Sequence, residues 1–466
     1  MKHFLVFLLL SAATLAMKGQ TVFRRNVDID LLRSTSLPVL DIVTVDGSEP
    51  TYDEVTHPPG AMGMSIANAT KVPARMTVTL GPDTLYDSGP YLPDQSGLTI
   101  KVRGNTSAYD AQKPYKIKLQ KKADLLGRGN DARFKDKHWV LLADAALETA
   151  IGFAVSRLVG MEWTPAWEYV NVVLNGQYRG MYTLCEQVRR NPDCRINVDK
   201  QTGYIVEYDA YWWNEDRWFE TTSGRKYTFK YPESDEVTLA QSDYIRQALS
   251  DFEESIARGT TAQHIDVGSF ARWLFAHDVL GTWDSGGSNL FVAKQDETQA
   301  SLLRMPCLWD FNTICKMTDK WSRMHTDPYT WFPALMDSPD GVFCSTYASL
   351  FQELLPTVFD GLDQWFADLS ASPLLSSVER SIQWTAQTYG YTSGLFAESI
   401  DHRRRWFWQR RDWMAKAAEE IVPPTAVASP TEDNKNGDPV FDLAGRRVGA
   451  DAQGFVVHRG KVYFNQ

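Results

Sequence analysis

Cysteine is scarce in this chain of 466 residues, and the patterns that mark the commonest hydrolases are missing. The five cysteines, Cys185, Cys194, Cys307, Cys315 and Cys344, show no CxxC spacing, which argues against a zinc cluster. They allow at most two disulfides with one thiol over, or five buried thiols. No HExxH, GxSxG or GxxxxGK[ST] run occurs, which removes the familiar zinc-protease, serine-hydrolase and P-loop routes. Positive charge is not in excess: 48 Lys and Arg stand against 58 Asp and Glu, a net charge of −10, so no nucleic-acid partner is expected.

The apolar run at the amino terminus, Phe4 to Leu10, falls short of the roughly 20 residues that span a bilayer. With Lys2 and His3 before it and Ala12, Ala13 and Ala16 after it, residues 1–20 read as a secretory signal peptide. The expected location is therefore exported: periplasmic, cell-surface or extracellular, with no transmembrane segment after signal cleavage.

Composition and pattern divide the remainder into a β-rich amino-terminal segment (36–97), a main domain (98–421), a Pro/Ser/Thr/Asp linker (422–438) and a small β tail (439–466). The run Val440 to Val448 is similar to short terminal segments of many exported bacterial proteins, which points to sorting or surface attachment. Strands are expected at Val39–Val45, Met76–Leu80, Leu98–Val102, Tyr204–Tyr208, Leu290–Ala293 and Leu302–Leu308. In Tyr115-Lys116-Ile117-Lys118-Leu119 the period of two puts the apolar residues on one face and both lysines on the other. Asn175-Gly176 between two apolar runs predicts a hairpin.

Helices are expected at Leu147–Val159, at Ser269–Leu280, where His277 reads as a packed core residue, and through most of 345–421. The last helix is expected to start near a Ser393 cap and stop at Pro423-Pro424. Its Arg403-Arg404-Arg405 and Arg410-Arg411 runs read as a solvated face, or as a grip on an acidic or phosphorylated substrate.

Chemistry gathers in Trp283-Asp284-Ser285-Gly286-Gly287-Ser288-Asn289 and Trp309-Asp310-Phe311-Asn312. Phosphoryl transfer needs a hydroxyl acceptor, metal ligands and cations on the phosphates, and little covalent help. An Asp, an Asn five residues on, and an Asp-Phe pair after a short strand supply the first two in the order that protein kinases use. Asp284 would accept the hydroxyl proton, Asn289 would hold a metal ion, and Asp310 would join metal to phosphates. The plainer roles are a turn residue for Asp284 and a strand-end cap for Asp310. Upstream, Arg103-Gly104-Asn105-Thr106-Ser107 followed by the lysine strand can bring backbone amides, hydroxyls and an ammonium to one anion, or form a solvated edge hairpin.

With Arg103–Ser107, Lys113–Leu119, Val173–Tyr182, Glu186-Gln187-Val188, Gly203–Asp209, Asp284 with Asn289, and Trp309-Asp310-Phe311 in this order, the chain resembles the CotH-like protein kinases, named for spore coat protein H. The resemblance implies an α+β, atypical two-lobed protein-kinase-like fold, with a β-rich amino-terminal lobe and a mostly helical carboxy-terminal lobe. It further implies ATP with Mg²⁺ or Mn²⁺ as cofactors and Ser/Thr of other proteins as acceptors. On this likeness Asp284 is the catalytic residue and Asn289 and Asp310 are metal ligands. Arg103, Gly104, Asn105 and Ser107 form the phosphate turn, and Lys116 or Lys118 reaches phosphate. By position after the hairpin rather than by motif, Glu186 to Val188 are expected to form a hinge whose backbone meets adenine. The family pattern has Asp where this chain has Asn312, a Gly near Cys315-Lys316, and an Arg-Asn pair where Gly152-Phe153 stands.

Two other readings remain open. One is a catalytically silent member acting as a surface assembly or binding protein. The other is a carbohydrate-binding or carbohydrate-active protein that uses its 16 Trp and the Glu207/Asp209 pair, about 7 Å apart on one strand.

Overall fold

A computed structural model describes residues 26–421 except Asn130 and Ser285, together with the backbone of four strands within 440–465. The expected signal peptide and linker lie outside the described residues. In chain order, the short helix α1 (Ile29–Arg33) is followed by β1 (Val39–Thr44), the hairpin β2 (Asp53–Thr56) and β3 (Met64–Ala67), then β4 (Val72–Leu80) and β5 (Asp83–Asp87). Strands β6 (Leu98–Val102), β7 (Tyr115–Ala123) and β8 (Asp136–Leu142) come next, then helix α2 (Ala146–Leu158) and the hairpin β9 (Trp167–Leu174) and β10 (Gln177–Glu186). Asn175 and Gly176, at φ +51° and +75°, make the β9–β10 turn as the sequence predicts.

These strands close into a barrel, ordered β1-β9-β10-β8-β7-β6-β4 and back to β1, with β5 paired to β4 outside the ring. Six of the seven pairings are antiparallel and β1–β9 is parallel. An odd ring cannot close with every neighbour reversed, so one parallel pairing is a geometric requirement. Alternate residues fill the barrel: Leu98, Ile100, Val102, Tyr115, Ile117 and Leu119 are buried in one apolar cluster.

Beyond the barrel, β11 (Tyr204–Tyr208), β12 (Trp218–Glu220) and β13 (Lys226–Tyr231) precede α3 (Leu239–Arg258) and α4 (Val267–Leu280). Strands β14 (Leu290–Lys294) and β15 (Leu303–Arg304) then complete a five-stranded antiparallel sheet, β12-β13-β11-β14-β15. Helices α5 (Arg323–Thr326), α6 (Phe332–Met336), α7 (Val342–Ser370), α8 (Leu375–Tyr389) and α9 (Phe396–Ala417) finish the main body. A Thr238–Gln241 capping box starts α3, and Asp266 caps α4. Residues 440–465 carry a small antiparallel sheet, β16 (Val440–Asp442), β17 (Arg447–Val448), β18 (Gly454–His458) and β19 (Lys461–Asn465).

This architecture corrects the expected two-lobed kinase-like fold. The β-rich part is a closed seven-stranded barrel, and the described residues hold nine α-helices, with a second sheet threaded among those of the later half. The closing contact joins β1 to β9, strands far apart in the chain, and strand alternation carries no record of which strand a distant edge will meet. The expected strand at Leu302–Leu308 shrinks to Leu303–Arg304. Helix α9 starts later than expected and has no side-chain cap; the Phe396 amide donates instead to the Glu379 carboxylate of α8.

The largest apolar cluster lies between the outer barrel wall, the second sheet and the helices. At the β10 bulge Gly180 takes φ +110°, and the Met181 amide beside it donates to Thr385 Oγ1 of α8 at 2.9 Å. The arginine runs of α9 are only partly solvated. Arg410 is fully buried, and its guanidinium donates to the Asp278, Thr318 and Lys320 carbonyls. All five cysteines are free thiols. Among the described residues no helix is long and apolar enough to cross a membrane.

Candidate active site

The barrel supplies one side of the site. Strand β6 ends at Val102, and the Arg103 amide donates to the Pro114 carbonyl at 3.1 Å, closing a turn onto β7. Gly104 takes φ +96°, where a Cβ would collide with Ser107 Oγ. Asn105 then leads into the 3₁₀ turn Thr106–Tyr109 and accepts a hydrogen bond from Ser65 at its Oδ1, 2.6 Å away. Lys101 of β6 pairs directly with Lys116 of β7 on the outer wall.

Burial pushes Lys116 down to about 7, helped by Lys101, Arg189 and Arg103 and opposed by Glu233. Lys101 is lowered too, by burial first and then by Lys71 and Arg103, against Glu215. Lys118, two residues along the strand, is exposed. The structure thus sets Lys116 among the cations beside Arg103 and leaves Lys118 toward solvent.

Helix α4 and the second sheet supply the other side. Gly281 ends α4 in the left-handed region, φ +55°, and His277 Nδ1 lies 3.0 Å from Thr282 Oγ1. His277 is fully buried against Trp273 with its pKa pushed down to about 3 by burial, a packed core residue as expected. Past Thr282 the exposed Asp284 accepts a hydrogen bond from Thr313 Oγ1 at 2.6 Å. Asn289, just before β14, takes φ +64°. Its amide donates to Glu207 Oε1 at 2.7 Å, and its side-chain nitrogen donates to Asp310 Oδ2 at 3.1 Å.

Asp310 also has a left-handed backbone, φ +62°. Two non-glycine residues in this strained region, hydrogen-bonded to each other, mark a place where function outweighs local comfort. Buried aromatics on either side, Trp309 and Phe311, fix the aim of Asp310. The Phe311 ring meets Phe153 edge-on with centroids 5.4 Å apart and covers Gly152 so closely that a Cβ there would enter the ring. Burial pushes the Asp310 carboxyl up to about 6, with Asp144 and Asp284 adding to the shift; the Asn312 amide and Arg103 oppose it. Asn312 therefore meets Asp310 through its backbone, and its residue is exposed.

The side chains of Glu186 and Val188 face away from both sides of the site, which leaves only their backbone for the expected hinge. The buried Glu186 carboxylate accepts from Arg128 Nη2 and from the Ala166 amide, both at 3.0 Å, and Val188 lies in the apolar core. Neither side chain joins the Arg103–Lys116 wall or the Asp284–Asp310 group.

Three neighbours escaped the sequence reading. Asp144, at the end of β8, is the nearest-acting carboxylate on Asp310, and its own pKa is raised by burial. Lys101 was visible only as one more strand lysine. Lys230 forms an ion pair with Glu207 at 2.8 Å; burial opposes its charge, but Glu207, Glu215 and Asp209 hold it above the usual lysine range. Of the Glu207/Asp209 pair, Glu207 is thus committed to Lys230 and the Asn289 amide. Asp209 is pushed up to about 7 by burial and Glu207, against Lys230, the Tyr211 amide and Thr228. An Asp at a strand end and the lysine of a facing strand carry no local signature, so pattern alone could not select them.

The two sides suit complementary ligands. Crowded cations around Lys116 favour a polyanion, and the crowded acids around Asp310 favour a divalent cation. Among the described residues no three His, Cys, Asp or Glu side chains converge as a metal cluster. A cation here would have Asp310 and Asn289 as protein ligands and take the rest from water and phosphate oxygens, a donor set that suits Mg²⁺.

A family model described as CotH kinase protein matches residues 100–414, from within β6 into α9. No curated protein matches the chain. The matched span contains the Arg103–Ser107 turn, Lys116, Asp284, Asn289 and Asp310, whereas β1 and β4, which close the barrel, precede it.

Proposed function

Since the chain belongs to the CotH kinase family, we propose that it transfers the γ-phosphate of ATP to Ser or Thr hydroxyls of exported or surface proteins. The observation that carries this reading is the Asn289–Asp310 contact at 3.1 Å, made by two residues in left-handed backbone. Asp310 and Asn289 would hold Mg²⁺ or Mn²⁺, which when bound neutralises charge on the phosphates. Asp284, exposed and oriented by Thr313, accepts the proton of the incoming hydroxyl. Arg103 and the charged form of Lys116 take up phosphate charge on the barrel side. Export is read from the signal-like residues 1–20, with the terminal run Val440 to Val448 as a second pointer.

The test is γ-phosphate transfer by purified protein with Mg²⁺ or Mn²⁺, to itself and to exported proteins of its host. Transfer by the wild type that disappears in Asp310→Ala, with the melting temperature unchanged, is expected. Autophosphorylation that survives Asp310→Ala sinks the mechanism. Nucleotide binding with no transfer would instead favour a silent member acting in surface assembly.

A further inference from the structure

The β2–β3 hairpin stands outside the barrel and joins the two sides of the site. Asn214, in the 3₁₀ turn Trp212–Asn214 beyond β11, donates through Nδ2 to the Ile66 carbonyl at 2.9 Å and to Ser65 Oγ at 2.8 Å. The Ser65 hydroxyl is fully buried and lies 2.6 Å from Asn105 Oδ1. Nearby contacts hold the same pieces together. Tyr109 donates to the Ser65 carbonyl at 2.9 Å, and Trp213 donates to the Met62 carbonyl at 3.2 Å. The Ala210 amide donates to the Gly287 carbonyl, which ties this turn to the loop between Asp284 and Asn289.

The chain of bonds runs in one direction, from Asn214 through Ser65 to Asn105. A backbone carbonyl only accepts, so Ile66 identifies the atom facing it as the nitrogen of Asn214. That nitrogen also donates to Ser65 Oγ at 2.8 Å, and the Ser65 hydroxyl in turn donates its single proton to Asn105 Oδ1 at 2.6 Å. Asn105 accepts with its oxygen, which leaves its NH₂ end, two donors, for another partner.

Resting on the kinase reading, we propose that Ser65 and Asn214 are positioning residues that orient the Asn105 amide so that its NH₂ end serves a phosphate of ATP held by the Arg103–Ser107 turn. A turn with this amide reversed would present an oxygen to an anion and repel it. The hairpin is thereby a part of nucleotide recognition, although it precedes the span that the family model matches.

The test measures ATP–Mg²⁺ affinity of the full chain by calorimetry without acceptor, and deuterium uptake in residues 53–67 and 103–109. Ser65→Ala is expected to weaken ATP about tenfold, raise KM more than it lowers kcat, and speed exchange in 103–109. Ser65→Thr, which keeps the hydroxyl, should restore most of the affinity. Asn105→Asp removes the donor end without changing shape, and should weaken ATP about a hundredfold with the fold intact. Wild-type affinity in both Ser65→Ala and Asn105→Asp overturns the proposal, as does a Ser65→Thr variant as weak as Ser65→Ala at unchanged melting temperature. A wild-type chain that binds no ATP overturns the kinase reading before any variant is compared.

Discussion

The barrel wall and the second sheet build their halves of the site by different means. On the barrel, regular strands do the placing: Lys101 and Lys116 face one another because β6 and β7 pair in register, and no strained backbone is needed. On the other side the key residues sit in loops, Asn289 just before β14 and Asp310 well beyond β15, and both take left-handed conformations. The same contrast shows in two lysines. Lys116 is surrounded by cations and is pushed down to about 7, whereas Lys230 is paired with Glu207 and held high. One half is therefore a cationic wall that Glu215 and Glu233 only partly offset, and the other is a set of carboxylates with a counterion paired beside them. The first should tune affinity and the second should govern the chemical step.

The sharpest way to break this division is Asp310→Ala, expected to lower transfer on the order of 10³-fold with little change in ATP affinity in the absence of metal. The carboxyl must be ionised to hold a cation, so metal affinity in the wild type should fall as pH drops through about 6. Metal binding by Asp310→Ala equal to wild type would remove the acid half from the account. Asp284→Asn comes next, with a loss of about 10²-fold in kcat and an unchanged KM for ATP; a change confined to KM would move Asp284 out of the base role.

Lys116→Met should raise KM for ATP about tenfold and spare kcat. Lys116 is charged below about pH 7 and neutral above it, so ATP affinity should decline on the alkaline side of 7. Lys116→Arg keeps the charge and should erase that decline; a profile identical in both proteins would assign the titration to another group. The smallest effect on transfer is expected from Glu186→Gln. It removes the charge of a buried pair with Arg128 and leaves one oxygen for two donors, Arg128 and the Ala166 amide, and should cost about 2 kcal/mol of stability while leaving KM for ATP alone. Thermal unfolding and kinetics on one sample decide it, and a raised KM at unchanged stability would place Glu186 near the nucleotide after all.

The same contrast explains what was legible in the sequence. Alternation in Tyr115–Leu119 sends the apolar residues into the barrel and the lysines outward, and Asn175-Gly176 marks its hairpin. The run Tyr204–Tyr208 and helix α4 lie close to where periodicity puts them. The Asp284–Asn289 spacing and the Trp309-Asp310-Phe311 run identify residues that the fold brings together, at least for Asn289 and Asp310. Barrel closure was not legible, because a parallel β1–β9 pairing depends on partners distant in the chain. Nor was the inward turn of Arg410, since its position within an arginine-rich helix gives no hint of the three carbonyls waiting for it. Alternation also could not separate Lys116 from Lys118; only the surroundings, Arg103 and Lys101 against open solvent, do that.

The contact between Gly152 and Phe311 has a meaning for heredity as well as for geometry. Because a side chain at 152 and the ring at 311 would occupy the same space, the order in which the two positions change matters, although one lies in a helix and the other beside a functional acid. A mutation that enlarged residue 152 first would shift the acid before any compensating change arrived, whereas trimming the ring first would leave only a void. A larger residue at 152 is therefore expected to be tolerated only with a smaller residue at 311 or with the aromatic seated elsewhere. Ancestral reconstruction showing the bulky helix residue appearing against an intact, unmoved ring would contradict that order.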